Sequence, residues 1–288
     1  MRDFDFLEPT SVVEASRMLA NLGDNCRAMA GGTALMLALR QRMLAPTHIV
    51  SLGRLDALRG IDFDPQQGMR IGALSCHSDV ARSAAVQQHY PMLARMATTM
   101  ANPQVRNQGT LGGNLCYADP ATDPPSCLMA LDAQLVLGSA QGERVLSMQQ
   151  FLVDYFLTAL RPDELMVEIR LPLPKPDHAG STTRFRRTAA EHRPLINLAL
   201  LLRRTGKTCH TARLVVGAST AIPVRMARAE LFLEGRIVTP DVAAEAASIV
   251  AADIEPLSDQ RGSADYRRDM VRVVARRGIS ALFGLSTE

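Results

Sequence analysis

Residues 106–125 read RNQGTLGGNLCYADPATDPP. Three glycines, two aspartates and three prolines in twenty residues make this stretch too rich in turn formers for a packed helix or a long strand, so it predicts a loop. Such a loop either holds something or merely connects. A second glycine pair, Ala30-Gly31-Gly32-Thr33, follows the short strand-like run CRAMA and precedes the helical spacing of ALMLALRQRML. Consecutive glycines reach left-handed angles without a Cβ penalty, and their successive N–H groups can then point inward as an anion-binding nest. Thr33, Thr110 and Asn114 would add side-chain donors, which together suit a diphosphate without any lysine. Neither pair is a GxGxxG fingerprint, and TGKT at 205–208 lacks the earlier glycine of a P-loop. Each pair alone is an ordinary tight turn; two of them, the second followed by Asp119 and Asp123, look like loops converging on one cofactor.

The rest of the composition narrows the classes. With 288 residues, 47% hydrophobic and 21% charged, the chain has the make-up of a globular protein of two or three lobes. No apolar run approaches the roughly 20 residues needed to span a bilayer, and MRDFDFLEPT has no apolar leader, so a cytoplasmic location without membrane insertion is expected. The five cysteines, Cys26, Cys76, Cys116, Cys127 and Cys209, show no CxxC or CxxxC spacing. The six histidines show no HxxxH or HxxE grouping, so no metal site is expected in this chain. GxSxG, HExxH and a recognisable Cys–His pair are absent as well, and no residue is singled out as catalytic. A formal charge of +3 does not argue for nucleic acid. Its distribution is uneven: residues 1–174 carry 14 basic and 17 acidic side chains, and residues 175–288 carry 18 and 12. The basic tail reads either as solvated helix faces or as a docking face for an acidic partner.

Along the chain, TSVVEASRMLANLG predicts a helix capped by Thr10 or Ser11 and ended by Gly23, and THIVSL a strand. MRIGALSCHSDVAR predicts a strand and a helix, PMLARMATTMA a helix, and the region around Gly138 and Gly142 a hairpin. ELMVEIRLPLP alternates as a strand with one exposed face. Pro172, Pro174 and Pro176 form a stiff linker. Beyond it, TRFRRTA, LINLALLLRR and HTARLVVGAS read as three strands joined by tight turns, followed by helical segments at about 223–234, 240–252 and 263–283, an α+β pattern.

QVRNQGTLGGNLCYADPATDPPSCLMALDA and AGGTALMLALRQRMLAPTHIVSL together resemble the FAD-binding medium subunit of the molybdenum hydroxylases, the carbon monoxide dehydrogenase and xanthine dehydrogenase family. The paired motifs AGG and T(I/L/V)GGN, with an Asp nine residues after the Asn, carry the resemblance, which covers nearly the whole chain. It implies an α+β fold. A two-lobed FAD-binding domain of the PCMH/vanillyl-alcohol-oxidase-like type would occupy 1–174, with lobes of about 1–55 and 56–174. A C-terminal domain of the carbon monoxide dehydrogenase flavoprotein type, a small antiparallel sheet with helices, would occupy 175–288.

The resemblance also implies site residues. Ala30, Gly31, Gly32, Thr33 and Ala34 would hold the pyrophosphate of FAD, and Thr110, Gly112, Gly113 and Asn114 would close on the same phosphates and the ribityl chain. Asp119 and Asp123 would reach the sugar, Asp123 taking the adenosine ribose hydroxyls, and Met166 would lie near the adenine or the ring system. Where several relatives have a lysine near the flavin N1–C2=O edge, this chain has Arg186, with Arg184 and Arg187 open as alternatives; the charge is kept and the shape is not.

The implied function is electron transfer, with substrate oxidised at a molybdenum cofactor in a large subunit. A small subunit carrying [2Fe-2S] clusters would relay single electrons, and FAD here would release them to an external acceptor, in a dimer of heterotrimers. No extra cysteine-bearing loop for a four-iron cluster is expected, and Cys116 reads as a packed thiol. A stand-alone FAD-dependent oxidoreductase and a scaffold subunit without flavin are the other readings.

Overall fold

The computed structural model describes residues 2–286. Its chain opens with β1 (Asp5–Leu7), α1 (Val12–Leu22), β2 (Cys26–Met29), α2 (Leu35–Arg40) and β3 (His48–Ser51). The three strands form a parallel sheet in the order β1-β3-β2. Ser11 caps α1 by accepting from the Glu14 N–H, Glu14 reaches back to the Thr10 N–H, and Gly23 ends the helix at φ 54°. Ala15 and Leu19 on one face of α1 bury against Cys26 and Val50.

The middle of the chain carries β4 (Ile61–Asp64), β5 (Gly68–Gly72), α3 (His77–Arg82), α4 (Ala84–His89), α5 (Pro91–Thr99), α6 (Pro103–Gln108), α7 (Leu111–Tyr117) and α8 (Pro124–Ala130). It continues through β6 (Gln134–Ser139), β7 (Gly142–Ser147), α9 (Met148–Phe151), β8 (Leu152–Asp154), β9 (Leu157–Thr158) and β10 (Leu165–Leu171). Five of these strands form an antiparallel sheet, β4-β5-β10-β6-β7. The hairpin around Gly138 and Gly142 is β6–β7. β10, read from its alternation as a strand with an exposed face, is the central strand with partners on both sides. A register shift between Met166 and Glu168 lets Leu165 and Met166 both be buried.

The C-terminal residues form β11 (His178–Phe185), β12 (Ile196–Thr205), β13 (Thr208–Gly217), β14 (Val224–Arg225), α10 (Ala227–Leu233), α11 (Pro240–Asp253) and α12 (Ala264–Leu282). The sheet is antiparallel in chain order. β14 occupies residues read as the start of a helix. The β12–β13 turn is tight, with Gly206 at φ 58°, whereas β11 and β12 are joined by residues 186–195. Leu198, Leu200 and Leu202, two apart and hence on one face of β12, pack with Leu214, Val216, Val250, Val271 and Ile279. Each such side chain contributes about 1.5–3 kcal/mol. Arg267 of α12 is only 2% exposed; it donates to the carbonyls of Leu195 and Ala218 at 3.0 and 2.9 Å and to Asp259 at 2.6 Å. Burial raises the Asp259 carboxyl, yet the bonds from Arg267 and Arg261 outweigh it and hold the group down at about 2.

The residues divide into two compact units. Of the described residues, one holds 2–87, 101–118 and 133–173; the other holds 88–100, 119–132 and 174–286. α5 and α8, far upstream of the proline linker, therefore belong with the C-terminal sheet: α8 lies on β12 and β13, and α5 on α8 and β11. Among the described residues, no helix is long and apolar enough to cross a membrane.

Candidate functional site

The turn-rich stretch at 106–125 is not one loop. Asn102 caps α6 and Thr110 caps α7, each by accepting an N–H three residues on, at 2.8 and 3.1 Å. Gly112 and Gly113 thus lie in the first turn of a short helix that ends at Ala118 in the left-handed region, φ 49°. What demands glycine there is space. A Cβ on Gly112 would sit 2.6 Å from the Ala73 Cβ, and one on Gly113 would sit 2.7 Å from the Thr110 hydroxyl and 3.3 Å from the Ala30 Cβ. The amides of this segment are also spent: Leu111 N–H donates to Ser75, Gly112 N–H to Ala73, Gly113 N–H to the Thr110 hydroxyl and Asn114 N–H to the Thr110 carbonyl. The expected inward nest is therefore not formed by the second glycine pair.

The first pair differs. Gly32 is left-handed, φ 70°, and among the described residues the N–H groups of Gly32, Thr33 and Ala34 meet no acceptor. This turn, running from β2 into α2, lies directly against the second segment. A Cβ on Gly31 would be 2.0 Å from the Gln108 carbonyl oxygen, and one on Gly109 would be 3.3 Å from the Thr33 hydroxyl and 3.4 Å from the His77 ring. The sequence motifs that looked as if they converge do so: Ala30–Thr33 and Gln108–Gly113 share one wall. Met166 is buried on β10, against which α7, the helix that carries Cys116, packs. Burial pushes the Cys116 thiol up to about 12, so Cys116 is a packed thiol rather than a reactive thiolate.

Asp119, Asp123 and Arg186 lie in the second unit. Asp119 closes a turn by accepting from the Ala121 N–H at 2.9 Å and pairs with Arg193 at 2.5 Å. Asp123 is 5% exposed, its Oδ2 lies 2.8 Å from Arg184 Nε, and its Oδ1 has no hydrogen-bond partner. Burial raises this carboxyl to about 6, although Arg184 and Arg186 pull the other way. Such an orphaned buried oxygen fits a hydroxyl donor from a ligand. Arg186 donates to the carbonyls of Ala189 and Glu191, so its guanidinium also braces the turn at 186–195.

Sequence reasoning missed His77 and Arg193. His77 is buried beside Gly109 with an unpartnered Nδ1, and burial pushes it down to about 4, which keeps the imidazole neutral. A lone histidine with no ligand-like spacing gave no signal. Arg193 could have been found only through its partner Asp119, 74 residues away. Arg203 and Arg204 sit at the end of β12, and Arg204 is engaged with the Gly206 carbonyl at 2.8 Å and with the ring of Phe283.

Similarity to known proteins agrees with these features. Residues 2–174 match the family described as FAD binding domain in molybdopterin dehydrogenase, and residues 183–282 match the CO dehydrogenase flavoprotein C-terminal domain. The chain is 33% identical over 279 residues to the 6-hydroxypseudooxynicotine dehydrogenase complex subunit alpha of Paenarthrobacter nicotinovorans, across 96% of this chain and 93% of that one. To the carbon monoxide dehydrogenase medium chain of Hydrogenophaga pseudoflava it is 31% identical over 278 residues, 96% of each. The solved structure of that organism's carbon monoxide dehydrogenase, in a form lacking the Mo-pyranopterin moiety of the molybdenum cofactor, has a chain that matches with a TM-score of 0.94 over 98% of both chains. Quinoline 2-oxidoreductase from Pseudomonas putida 86 matches with a TM-score of 0.92 at 28% identity, over 98% of this chain and 97% of that one. With both domain families matched in order along a shared α+β fold, the chain belongs to the FAD-binding medium subunits of the molybdenum hydroxylases, an oxidoreductase family that includes the carbon monoxide and xanthine dehydrogenases.

Proposed function

We propose that this chain binds FAD through Ala30, Gly31, Gly32, Thr33 and Ala34 together with Thr110, Gly112, Gly113 and Asn114. Asp119, Asp123, Met166 and Arg186 would complete the set. The observation that carries the reading is the close packing of the two glycine segments around unmet N–H donors of Gly32, Thr33 and Ala34. The donor set fits a diphosphate: backbone amides and hydroxyls, with a left-handed glycine that opens the turn. The Thr110 hydroxyl oxygen is occupied by the Gly113 N–H, which leaves its proton to donate outward. Asp123 offers its unpartnered Oδ1 to a ribose hydroxyl. Arg186 places positive charge on the 186–195 turn, which favours electron density on a nearby ring.

When bound, a flavin couples one-electron donors to a two-electron acceptor. In that role the partners are a small iron–sulfur subunit and a large subunit with the molybdenum cofactor, assembled as a dimer of heterotrimers, and the electrons leave to an external acceptor. The relatives' names, a complex subunit alpha and medium chains, support a place in a multi-subunit enzyme. The substrate of that enzyme is chosen by another polypeptide. Two measurements test this. The purified chain should show a flavin absorption spectrum at a ratio near one per chain, and capture of the assembled enzyme should bring iron and molybdenum with it. A colourless chain that takes up no FAD would leave only a scaffold role, and a flavin-loaded chain that oxidises a small substrate without partners would make it a stand-alone flavoenzyme.

A further inference from the structure

Arg184 faces three separate segments of one compact unit, with its two terminal nitrogens hydrogen-bonded and its Nε ion-paired to Asp123 without hydrogen-bond geometry. Its Nε lies 2.8 Å from Asp123 Oδ2, one terminal nitrogen donates to the Thr99 carbonyl at the end of α5 at 2.6 Å, and the other donates to the His192 carbonyl at 2.6 Å. The side chain is 14% exposed. The turn that it grips, 186–195, carries Arg186. Within the turn the other staples are local or solvent-facing: Arg186 to Ala189 and Glu191, Arg187 to Glu191, and Arg193 to Asp119. Its C-terminal end, Pro194 and Leu195, is held by Arg261, Ser219 and Arg267, and none of these staples reaches α5 or Asp123. Arg184 alone ties it both to α5 and to the buried Asp123.

We propose that Arg184 is a positioning residue for the cofactor: it holds the Asp123 carboxylate and the 186–195 turn in one arrangement, so that the groups assigned to the ribose and to the ring are set by a single side chain. The inference rests on the reading of Asp123 and Arg186 as FAD contacts. The requirement for arginine is geometric. A guanidinium presents a planar fork that serves three acceptors at once, whereas an ammonium is a point charge on a flexible stem. Around Asp123 the other polar or ionisable groups are Arg186, Ser126 and Cys127 on α8, and Thr182, Thr183 and Asn197 on β11 and β12. Ser126, Cys127, Thr182, Thr183 and Asn197 carry no positive charge and Arg186 is committed to the carbonyls of its own turn, so truncating Arg184 leaves a buried carboxylate without its close partner.

The test uses the full chain, freed of flavin and then titrated with FAD, in the wild type and in Arg184→Met and Arg184→Lys. Amide hydrogen exchange across residues 186–195 and the FAD dissociation constant from flavin fluorescence are read in parallel, with thermal melting as a control for folding. Arg184→Met should speed exchange in the turn by about tenfold or more while β12 and β13 keep their protection. It should also raise the dissociation constant by about 10- to 100-fold, the scale of losing charge-assisted hydrogen bonds. Arg184→Lys should recover most of the melting temperature and neither of the other two. Wild-type FAD affinity in Arg184→Met, or wild-type turn protection in Arg184→Lys, would overturn the proposal while the wild type still binds FAD. A wild type that binds no FAD would remove the cofactor reading and this inference together. Should Arg184→Met fail to fold, the lysine variant decides through the same two readouts.

Discussion

Gly31 lies so close to Gln108 that a Cβ on the glycine would stand 2.0 Å from the Gln108 carbonyl oxygen. Because that neighbour is backbone, it cannot swing aside as a side chain would. Gly31→Ala should therefore separate the two glycine segments, lower stability by about 1–3 kcal/mol, and reduce bound flavin to a small fraction of one per chain. Flavin released on denaturation, set against protein concentration, gives the number. Gly142→Ala is the control, since nothing lies within 4 Å and only its φ of 125° is strained; it should keep full flavin content.

Thr110 closes the first turn of α7 by accepting the Gly113 N–H. Thr110→Ala should cost about 1 kcal/mol, the usual worth of a cap, and weaken FAD binding by loosening the turn that carries Gly112 and Gly113. Thr110→Ser should restore both. Chemical denaturation together with FAD titration of the three proteins checks the pairing; loss of stability with unaltered affinity would place the cap outside the site.

Asp123 predicts a pH dependence with a definite sign. Its folded value of about 6 lies above the ordinary 3.8, burial being the cause, so the folded state holds the proton more tightly than the unfolded one. The FAD-free wild type should accordingly lose stability as pH rises from about 4 to about 6 and keep that loss above it. In Asp123→Asn this component should vanish, on the order of 2–3 kcal/mol between pH 4 and pH 7. Parallel denaturation curves at the two pH values read the difference directly, and identical pH slopes in both proteins would show Asp123 to be ionised throughout.

Arg267→Met should destabilise the C-terminal sheet and helices by about 3–5 kcal/mol, because Asp259 and the carbonyls of Leu195 and Ala218 lose a buried donor together. Since Asp259 is held down to about 2 largely through Arg267 and Arg261, its contribution is present above the ordinary carboxylate value and is lost as pH falls through about 2. The melting temperature of the variant should lose less than the wild type's does on acidification from pH 4 to pH 2.

Local rules recovered most elements. Ser11 and Gly23 bound α1 because capping is decided within four residues. The 205–208 turn and the strands beside it were legible for the same reason. What failed were features set by distant partners. Residues 111–117 are helical because Leu111 and Gly112 pin their N–H groups on Ser75 and Ala73, and no count of turn formers contains those bonds. β10 is a strand that alternates as read, with Arg170 exposed between buried Ile169 and Leu171; only its central place between β5 and β6 is beyond what alternation along one strand can show. At the site, the juxtaposition of the two glycine segments was legible from residue type alone. The commitment of Arg184 to Asp123, and of Arg193 to Asp119, was not, because arginine pairings carry no spacing rule.

α8 is buried at every one of its seven residues, Pro124–Ala130, and rests on β12 and β13; Ser126 bonds Asn197 across 71 residues of sequence. During synthesis this short apolar helix emerges long before its cover exists. At about 5–20 residues per second, β13 follows on the order of ten seconds later. Over that interval the nascent chain exposes Cys127, Leu128 and Met129 to whatever else is sticky in the cell. A fragment ended after the proline linker would never leave this condition, so cutting the gene at that natural-looking boundary should give an aggregating product rather than an isolated flavin-binding piece.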